Sequence, residues 1–288
     1  MNYSAMIQNR KSVREFTEVQ VPFGDLMILK DYYLQGIRRL IPSIPTELYF
    51  FGPESRPSLE GAAGYNNFLV GAPQYMVLMS SRDPLAHLNA GFMMEDLVLK
   101  LTAMNLDSCW VTCGDSIAVK EALGIESDLE VAAIVAFGYG KKTTRRLRLN
   151  ILSMSNVDVV AKHRYMEPKR SVQDLAFVNT WGNTRDLEQQ IGFFDDVLWE
   201  SLYAASLAPS YLNRQAYGFL LHGGTVSLVS RPDKYNNAVD GDLSLGAVLL
   251  HFTAVAENWT GKLNWRFGQD AEVAELPEGH RVVASCCL

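Results

Sequence analysis

Ala208-Pro209-Ser210-Tyr211-Leu212-Asn213-Arg214-Gln215 is the stretch on which the reading of this chain turns. Pro209 and Ser210 end a helix expected from about Phe194 to Leu207. Asn213 and Gln215 then present side-chain amides that can both donate and accept hydrogen bonds. Taken alone, the segment reads equally well as a helix C-terminal turn in which Asn213 caps backbone, because Asn and Ser favour turns. Its counterpart is Arg10-Lys11-Ser12-Val13-Arg14, where three cations and a hydroxyl fall within five residues. Such a group can make charge-assisted hydrogen bonds to a phosphate. In isolation it reads as a charged helix end on the surface. Together the two stretches suit a phosphorylated, planar ligand with many hydrogen-bonding edges.

Working outward, residues 4–10 predict a short helix, and Val19-Gln20-Val21-Pro22 separates it from a second helix over about Asp25–Leu40, which Pro42 and Pro45 end. Thr46–Phe51 and Gln74–Ser80 read as strands, with a glycine-rich loop carrying Tyr65, Asn66 and Asn67 between them. From His87 to Asn105, Leu88, Phe92, Leu97, Leu101 and Met104 recur at helical spacing, the pattern of a buried central helix. Cys109–Thr112 predicts a strand, Ile117–Leu123 a helix, and Val131–Phe137 an apolar strand stopped at Gly138-Tyr139-Gly140. Lys141–Arg148 is a basic run expected as a solvated loop, and residues 150–186 show little periodicity. A hairpin follows at Tyr217–Leu221 and Val226–Ser230 around Gly223-Gly224. Gly246–Asn258 is the last apolar helix.

The halves echo one another. In each, a helix leads to a strand, and a later apolar helix beginning at a glycine is followed by a tryptophan at the same spacing, Gly91 to Trp110 and Gly246 to Trp265. This suggests duplication followed by divergence, with the first module at 1–180, the second at 181–288, and the seam near Asn179–Asp186.

Composition bounds the function. At 288 residues, 48% hydrophobic and 20% charged, the chain is long enough for one large domain or two modest ones with a real core. A formal charge of -6 argues against a general nucleic-acid surface, which needs clustered Lys and Arg. Met1–Met6 lacks the pattern of a signal peptide, and no run approaches the ~18 uninterrupted apolar residues of a membrane span. Cys109, Cys113, Cys286 and Cys287 form no spaced disulfide framework. The expectation is a cytoplasmic protein with reduced thiols.

The chain resembles the nitroreductase family of flavoproteins, and within it a subgroup with a tandem layout. The resemblance is carried by Ile7-Gln8-Asn9-Arg10-Lys11-Ser12-Val13-Arg14-Glu15-Phe16, the Gly91 helix followed by Cys109-Trp110, Ile134-Val135-Ala136-Phe137-Gly138-Tyr139, and Ala208–Gln215. It implies an α+β sandwich of two fused, diverged modules forming a pseudo-dimer, with one FMN site per chain, as a monomer or a further homodimer. Arg10, Lys11, Ser12 and Arg14 would serve the cofactor's phosphate, ribityl chain or pyrimidine edge. Pro209, Ser210, Asn213 and Gln215 would close the site. Thr112 and Gly114 would supply backbone near the flavin, and Lys169-Arg170 resembles a later phosphate-binding basic pair. The implied activity passes electrons from NAD(P)H to a small organic acceptor such as a nitroaromatic or quinone, with no side-chain nucleophile. The other reading is a flavin or planar-ligand binder without catalysis. Two departures stand out: Ala216-Tyr217 follows Gln215 where relatives commonly have Pro-Trp, and Lys11 replaces a more usual Arg or His.

Rival sites are weak. Cys109-x-x-x-Cys113 has no second ligand pair nearby, and the five histidines are scattered, whereas tetrahedral zinc needs four ligands. His251 lies on an apolar helix and reads as a satisfied core or interface histidine. Met93-Met94 and Trp199 read as core, and Asp195-Asp196 as the acidic first turn of a helix.

Overall fold

The computed structural model describes residues 1–66, 68–143, 145–153, 156–163, 167–185, 187, 196–268 and 275–288. Asn67, Asp186, Phe194 and Asp195, which figure in the sequence reading, lie outside these. The chain forms two compact units. The first comprises Met1 and residues 9–167, and the second residues 2–8 with 168–288.

The first unit holds α2 (Phe23–Asp31), β1 (Thr46–Phe51), α3 (Arg56–Leu59), β2 (Gln74–Ser80), α4 (Ala86–Ala103), β3 (Asp107–Val111), α5 (Ser116–Leu123) and β4 (Glu130–Gly138). Its four strands form an antiparallel sheet in the order β1-β2-β4-β3. β2 and β4 are the two inner strands and carry apolar runs between polar ends, Tyr75–Met79 between Gln74 and Ser80 and Val131–Phe137 after Glu130; every residue of β2 is buried. Tyr75, Val77, Met79, Ile134 and Ala136 pack in one core cluster with Leu59, Val111 and Val119. α4 has fourteen buried residues among its eighteen, Ala90 and Gly91 among them. α5 is begun by Asp115, whose Oδ1 accepts from the N–H groups of Ile117 and Ala118 at 2.8 and 3.2 Å. Asp115→Ala is expected to cost about 1 kcal/mol, the usual worth of an N-cap. Urea denaturation measures it.

The second unit contains α1 (Tyr3–Asn9, of which residues 3–8 cluster here), α6 (Val172–Leu175), β7 (Ala176–Val178), α7 (Asp196–Ser206), β8 (Tyr217–His222), β9 (Thr225–Ser230), α8 (Ala238–Thr260), β10 (Arg266–Phe267) and β11 (Arg281–Cys287). The sheet order is β10-β11-β9-β8-β7. Read from β8, the order β8-β9-β11-β10 repeats β1-β2-β4-β3, and the long helix falls between the second and third strands in both units. β7 is an addition, parallel to β8 through Ala176, Phe177 and Val178 opposite Phe219, Leu220 and Leu221. Residues 176–178 therefore belong to the sheet of the second unit.

The tryptophans complete the echo: the Trp110 indole donates to Glu95 Oε2 on α4 at 3.0 Å, and that of Trp265 to Thr253 Oγ1 on α8 at 2.9 Å. Phe252 stacks on Phe219 at 5.5 Å between centroids and meets Trp265 edge-on at 5.8 Å. α8 has the length and hydropathy of a membrane span, but 78% of that stretch is buried in the protein, so it is a core helix. His251 is fully buried, its Nδ1 3.0 Å from the carbonyl oxygen of Ala204, as expected of a satisfied core histidine. Met93 and Met94 are core as well.

Four elements depart from the sequence reading. The helix expected over 25–40 stops at Asp31 and passes into a π turn over Tyr32–Gly36. Asp96 accounts for this, because its Oδ2 accepts from Tyr32 Oη and from the Arg38 N–H, both at 2.9 Å, drawing the chain off the helical path before the prolines. The last helix begins at Ala238 rather than Gly246, since Asn237 caps it by accepting the Asp240 N–H at 2.8 Å, and Gly241 and Gly246 are interior residues. The basic run is not all loop. Arg145–Ser153 forms β5, antiparallel to β6 (Asn156–His163), and the alternation Arg146-Leu147-Arg148-Leu149-Asn150-Ile151 is a strand pattern that the charges disguised. Finally, residues 150–186 carry β6, α6 and β7 despite their weak periodicity.

Candidate functional site

The expected site residues fall into two sets, one on each unit. In the first, residues 12–17 run beside the edge of the sheet. Ser12 bridges Ser108 of β3 in parallel, the Val13 N–H donates to Ser108 O at 2.9 Å, and Phe16 bridges Gly140. Arg10, Lys11, Ser12 and Arg14 are thus fixed by backbone pairing, with Lys11 exposed and Ser12 and Arg14 half-buried.

Arg10 is committed inward. Its side chain is 8% exposed and its Nε lies 3.6 Å from Oε1 of Glu95, which is fully buried. The same carboxylate accepts from Trp110, so α4, β3 and the Arg10 segment meet at one buried ion pair. Arg14 is more loosely held, donating Nη1 to Leu147 O at 3.4 Å. Burial pushes the Cys109 thiol up, while Arg14 and Arg10 pull it partly back, so Cys109 is a protonated, inert core residue. Thr112 and Gly114 follow β3. The Thr112 carbonyl accepts from the Gly64 N–H at 2.8 Å, and Gly114 is exposed with open space where a Cβ would stand.

On the second unit the structure brings Lys169-Arg170 against the Pro209–Gln215 turn. Gln215, 5% exposed, is the hinge pin of this arrangement. Its Oε1 accepts from the Arg170 N–H at 2.8 Å, its Nε2 donates to Pro168 O and Asn213 O at 3.3 and 3.2 Å, and its own N–H donates to Ser210 Oγ at 3.0 Å. Asn213 Nδ2 also donates to Pro168 O, at 2.8 Å, and Lys169 Nζ donates to Ala208 O at 2.6 Å. Leu212, Asn213 and Gln215 have φ of 48°, 55° and 49°. Three non-glycine residues in the left-handed region within four positions cost of order 1–3 kcal/mol each, a strain that clusters at ligand-holding turns. The Arg170 side chain remains exposed.

Glu95 was not singled out from the sequence, although Glu95-Asp96 inside the apolar run Gly91–Leu99 is a signal of buried charge. Both are fully buried. Among the described residues no three His, Cys, Asp or Glu side chains are placed to hold a metal.

The family model described as "Putative TM nitroreductase" matches residues 2–256. The chain belongs to this nitroreductase family. A nitroreductase crystal structure from Thermotoga maritima covers 100% of this chain and 94% of its own, at 18% identity and a TM-score of 0.59, and shows the same fold. Partial likenesses include an FMN-dependent nitroreductase from Clostridium difficile R20291, covering 48% of this chain and 87% of its own (17% identity, TM-score 0.41). Another is iodotyrosine deiodinase bound to FMN and 3-iodo-L-tyrosine, covering 52% and 96% (17% identity, TM-score 0.41). No curated protein sequence matches the chain. The whole-length match and the repeated strand order agree with the two-module α+β layout expected from the sequence.

Proposed function

We propose that the chain is an FMN-dependent oxidoreductase that takes electrons from NAD(P)H and delivers them to a small organic acceptor such as a nitroaromatic or quinone. Membership of the nitroreductase family over residues 2–256 is the observation that carries this reading. The donor set suits a phosphorylated flavin. Lys11, Ser12 and Arg14 offer cations and a hydroxyl in one short extended segment, Arg170 adds an exposed guanidinium, and Gly114 leaves room for close approach. When bound, the flavin supplies the hydride and electron chemistry, and the protein supplies binding, orientation and electrostatics.

Roles divide between contact and support. Lys11, Ser12 and Arg14 on the first unit and Arg170 on the second would be the residues that meet an anion, Arg14 giving up its long bond to Leu147 O. Asn213 keeps its amide oxygen for a ligand while its nitrogen holds Pro168. Arg10 and Gln215 act as positioning residues, because their polar groups face Glu95 and the Pro168–Arg170 backbone. Thr112 and Gly114 shape the backbone of the first unit's set, and Pro209 and Ser210 that of the second. A cation near the pyrimidine end of the flavin favours its reduced, anionic form by preorganised electrostatics.

The test begins with the absorption spectrum of the purified protein, in which a band near ~450 nm belongs to the oxidised flavin. Arg14→Ala is the informative variant, since Arg10→Ala would also strand Glu95. It is expected to lower flavin affinity at least tenfold, about 1.4 kcal/mol, and to slow NAD(P)H oxidation accordingly. Full occupancy in that variant would remove Arg14 from the site. A chain that neither carries nor takes up FMN would end the reading.

A further inference from the structure

Five large apolar side chains of the first unit stand in the open within sixteen positions: Val19, Phe23, Met27, Ile28 and Leu34, with exposures from 42% for Met27 to 76% for Phe23. Three of them lie on α2, where Leu29 is the one buried residue. Its counterpart in the second unit is α7, which likewise precedes the first strand of the repeated order and buries Ser201, Leu202, Ala204, Ala205 and Ser206. α2 instead ends at Asp31, where Asp96 draws the chain aside, and keeps a second, exposed apolar face. A cluster of exposed apolar side chains of this kind marks an interaction surface.

Helical spacing sets the layout of that face. Phe23, Met27 and Asp31 follow one another at i, i+4 and i+8, Gly24 and Ile28 form the adjoining row, and all five are exposed. Gly24 is the low point between the larger side chains. A Cβ there would meet nothing within 4 Å, so nothing within the chain requires glycine at this place, whereas a closely approaching second backbone would. The charge on the face is Asp31, whose side chain does not cap the π turn that follows it. The opposite end of α2 has the converse character. The helix starts at Pro22 without a side-chain cap, and its carbonyl takes the N–H groups of Asp25 and Leu26 at 2.9 and 3.2 Å, not those of Phe23 and Gly24. That positive end of the helix attracts a carboxylate.

These features complement their own image turned end for end. Val19 precedes Met27 by eight positions and Leu34 follows it by seven, so an antiparallel copy brings the Val19 end of each to the Leu34 end of the other, and Phe23 and Gly24 of each to Asp31 of the other. We propose that two copies of this chain pair through this face, α2 against α2 and antiparallel about a twofold axis at Met27 and Ile28, with each Asp31 carboxylate at the uncapped start of the other copy's helix. The same patch serves both copies, so the contact closes as a dimer and does not propagate. Gly24 lets the two helices cross closely, and the five apolar side chains of each copy leave water together. The pairing stands apart from the flavin reading, since none of the residues assigned to FMN lies within 19–34.

Analytical ultracentrifugation of the full chain tests the pairing. A reversible monomer–dimer equilibrium is expected, with a midpoint on the order of 10 µM for so small an interface. Met27→Glu, which adds a charge, and Gly24→Leu, which fills the crossing point, should each weaken it at least tenfold. Both positions are exposed, so the thermal unfolding of the dilute monomer should not fall in either variant. Asp31→Lys should weaken pairing severalfold, most at low salt, because it sets a cation against the positive end of a helix. Disulfides test the direction, in a Cys287→Ser background because that thiol is exposed. On oxidation Met27→Cys chains should link to themselves, and Val19→Cys chains should link to Leu34→Cys chains in preference to their own kind. Val19→Cys chains that link mainly to one another would overturn the antiparallel arrangement. A native chain that stays monomeric up to about 300 µM, or a dimer that survives both Met27→Glu and Gly24→Leu undiminished, would overturn the proposal. So would a monomer that floats with phosphatidylcholine vesicles and loses that property on Met27→Glu, which would give the face to a lipid surface.

Discussion

Glu95→Ala is expected to destabilise the chain by about 3–5 kcal/mol, the cost of removing one partner from a buried ion pair. Arg10 is 8% exposed and Glu95 not at all, so the guanidinium would be left charged in a place with little access to water. The Trp110 indole loses its acceptor in the same step, adding an unsatisfied donor. The sign of the companion experiment is opposite. Replacing both members, Arg10→Leu with Glu95→Leu, should recover most of the loss, because desolvating two charges is itself expensive. Chemical denaturation of the single and double variants measures both. A Glu95→Ala chain within 1 kcal/mol of the native one would show that Arg10 turns to solvent when released. The pair would then be an incidental contact, and Arg10 would return to the set of residues available to a ligand.

Gln215→Ala should cost about 2–4 kcal/mol and, on the proposed reading of this turn as part of a flavin site, weaken flavin binding. Three side-chain hydrogen bonds are lost at once, each worth about 1 kcal/mol, and the Arg170 N–H is stranded. The larger effect is on function. Without the amide, the strained Leu212–Gln215 turn loses its tether to the Pro168–Arg170 backbone and relaxes toward ordinary dihedrals. Flavin affinity should fall more than tenfold, beyond about 1.4 kcal/mol, although Gln215 need not touch the cofactor. Gln215→Glu separates the two roles. It keeps the acceptor for Arg170 while losing both donations, so it should restore part of the stability and less of the affinity. Flavin-to-protein ratio after gel filtration and denaturation midpoints give the two readouts. Equal flavin content in Gln215→Ala and the native chain would refute the positioning role.

Much of the fold was legible because it is written in unbroken apolar runs. Gln74–Ser80 and Val131–Phe137 are inner strands, and the helices around Leu97 and Leu249 are buried on most sides, so hydrophobicity and length suffice there. What escaped was decided by tertiary partners. Nothing local announces that Asp96 takes the Arg38 N–H and unwinds the second helix, nor that Asn237 starts α8 well before its apolar stretch. β5 hid its alternation behind arginines. At the candidate site, the segments were legible from their residue types, but the division of labour within them was not. Arg10 and Arg14 look interchangeable in the sequence, and only the buried Glu95 makes one structural and leaves the other more open. Arg231 had no local signal at all, since Gly218 and the rings of Phe177 and Trp181 that surround its guanidinium come from other parts of the chain.

The repeated strand order carries a hazard for the nascent chain. A hairpin from the later half has the right length and direction to dock on the earlier sheet before its own partners have been made, and such exchange is a typical failure of tandem architectures. Side chains must therefore act as a key. Thr46–Phe51 meets its neighbour with Tyr49 and Phe50, whereas Tyr217–His222 presents Gly218 and Leu221. Grafting the residues of one strand pair onto the other would erase that distinction, and misassembled chains should accumulate even if every individual contact in the correct structure were kept.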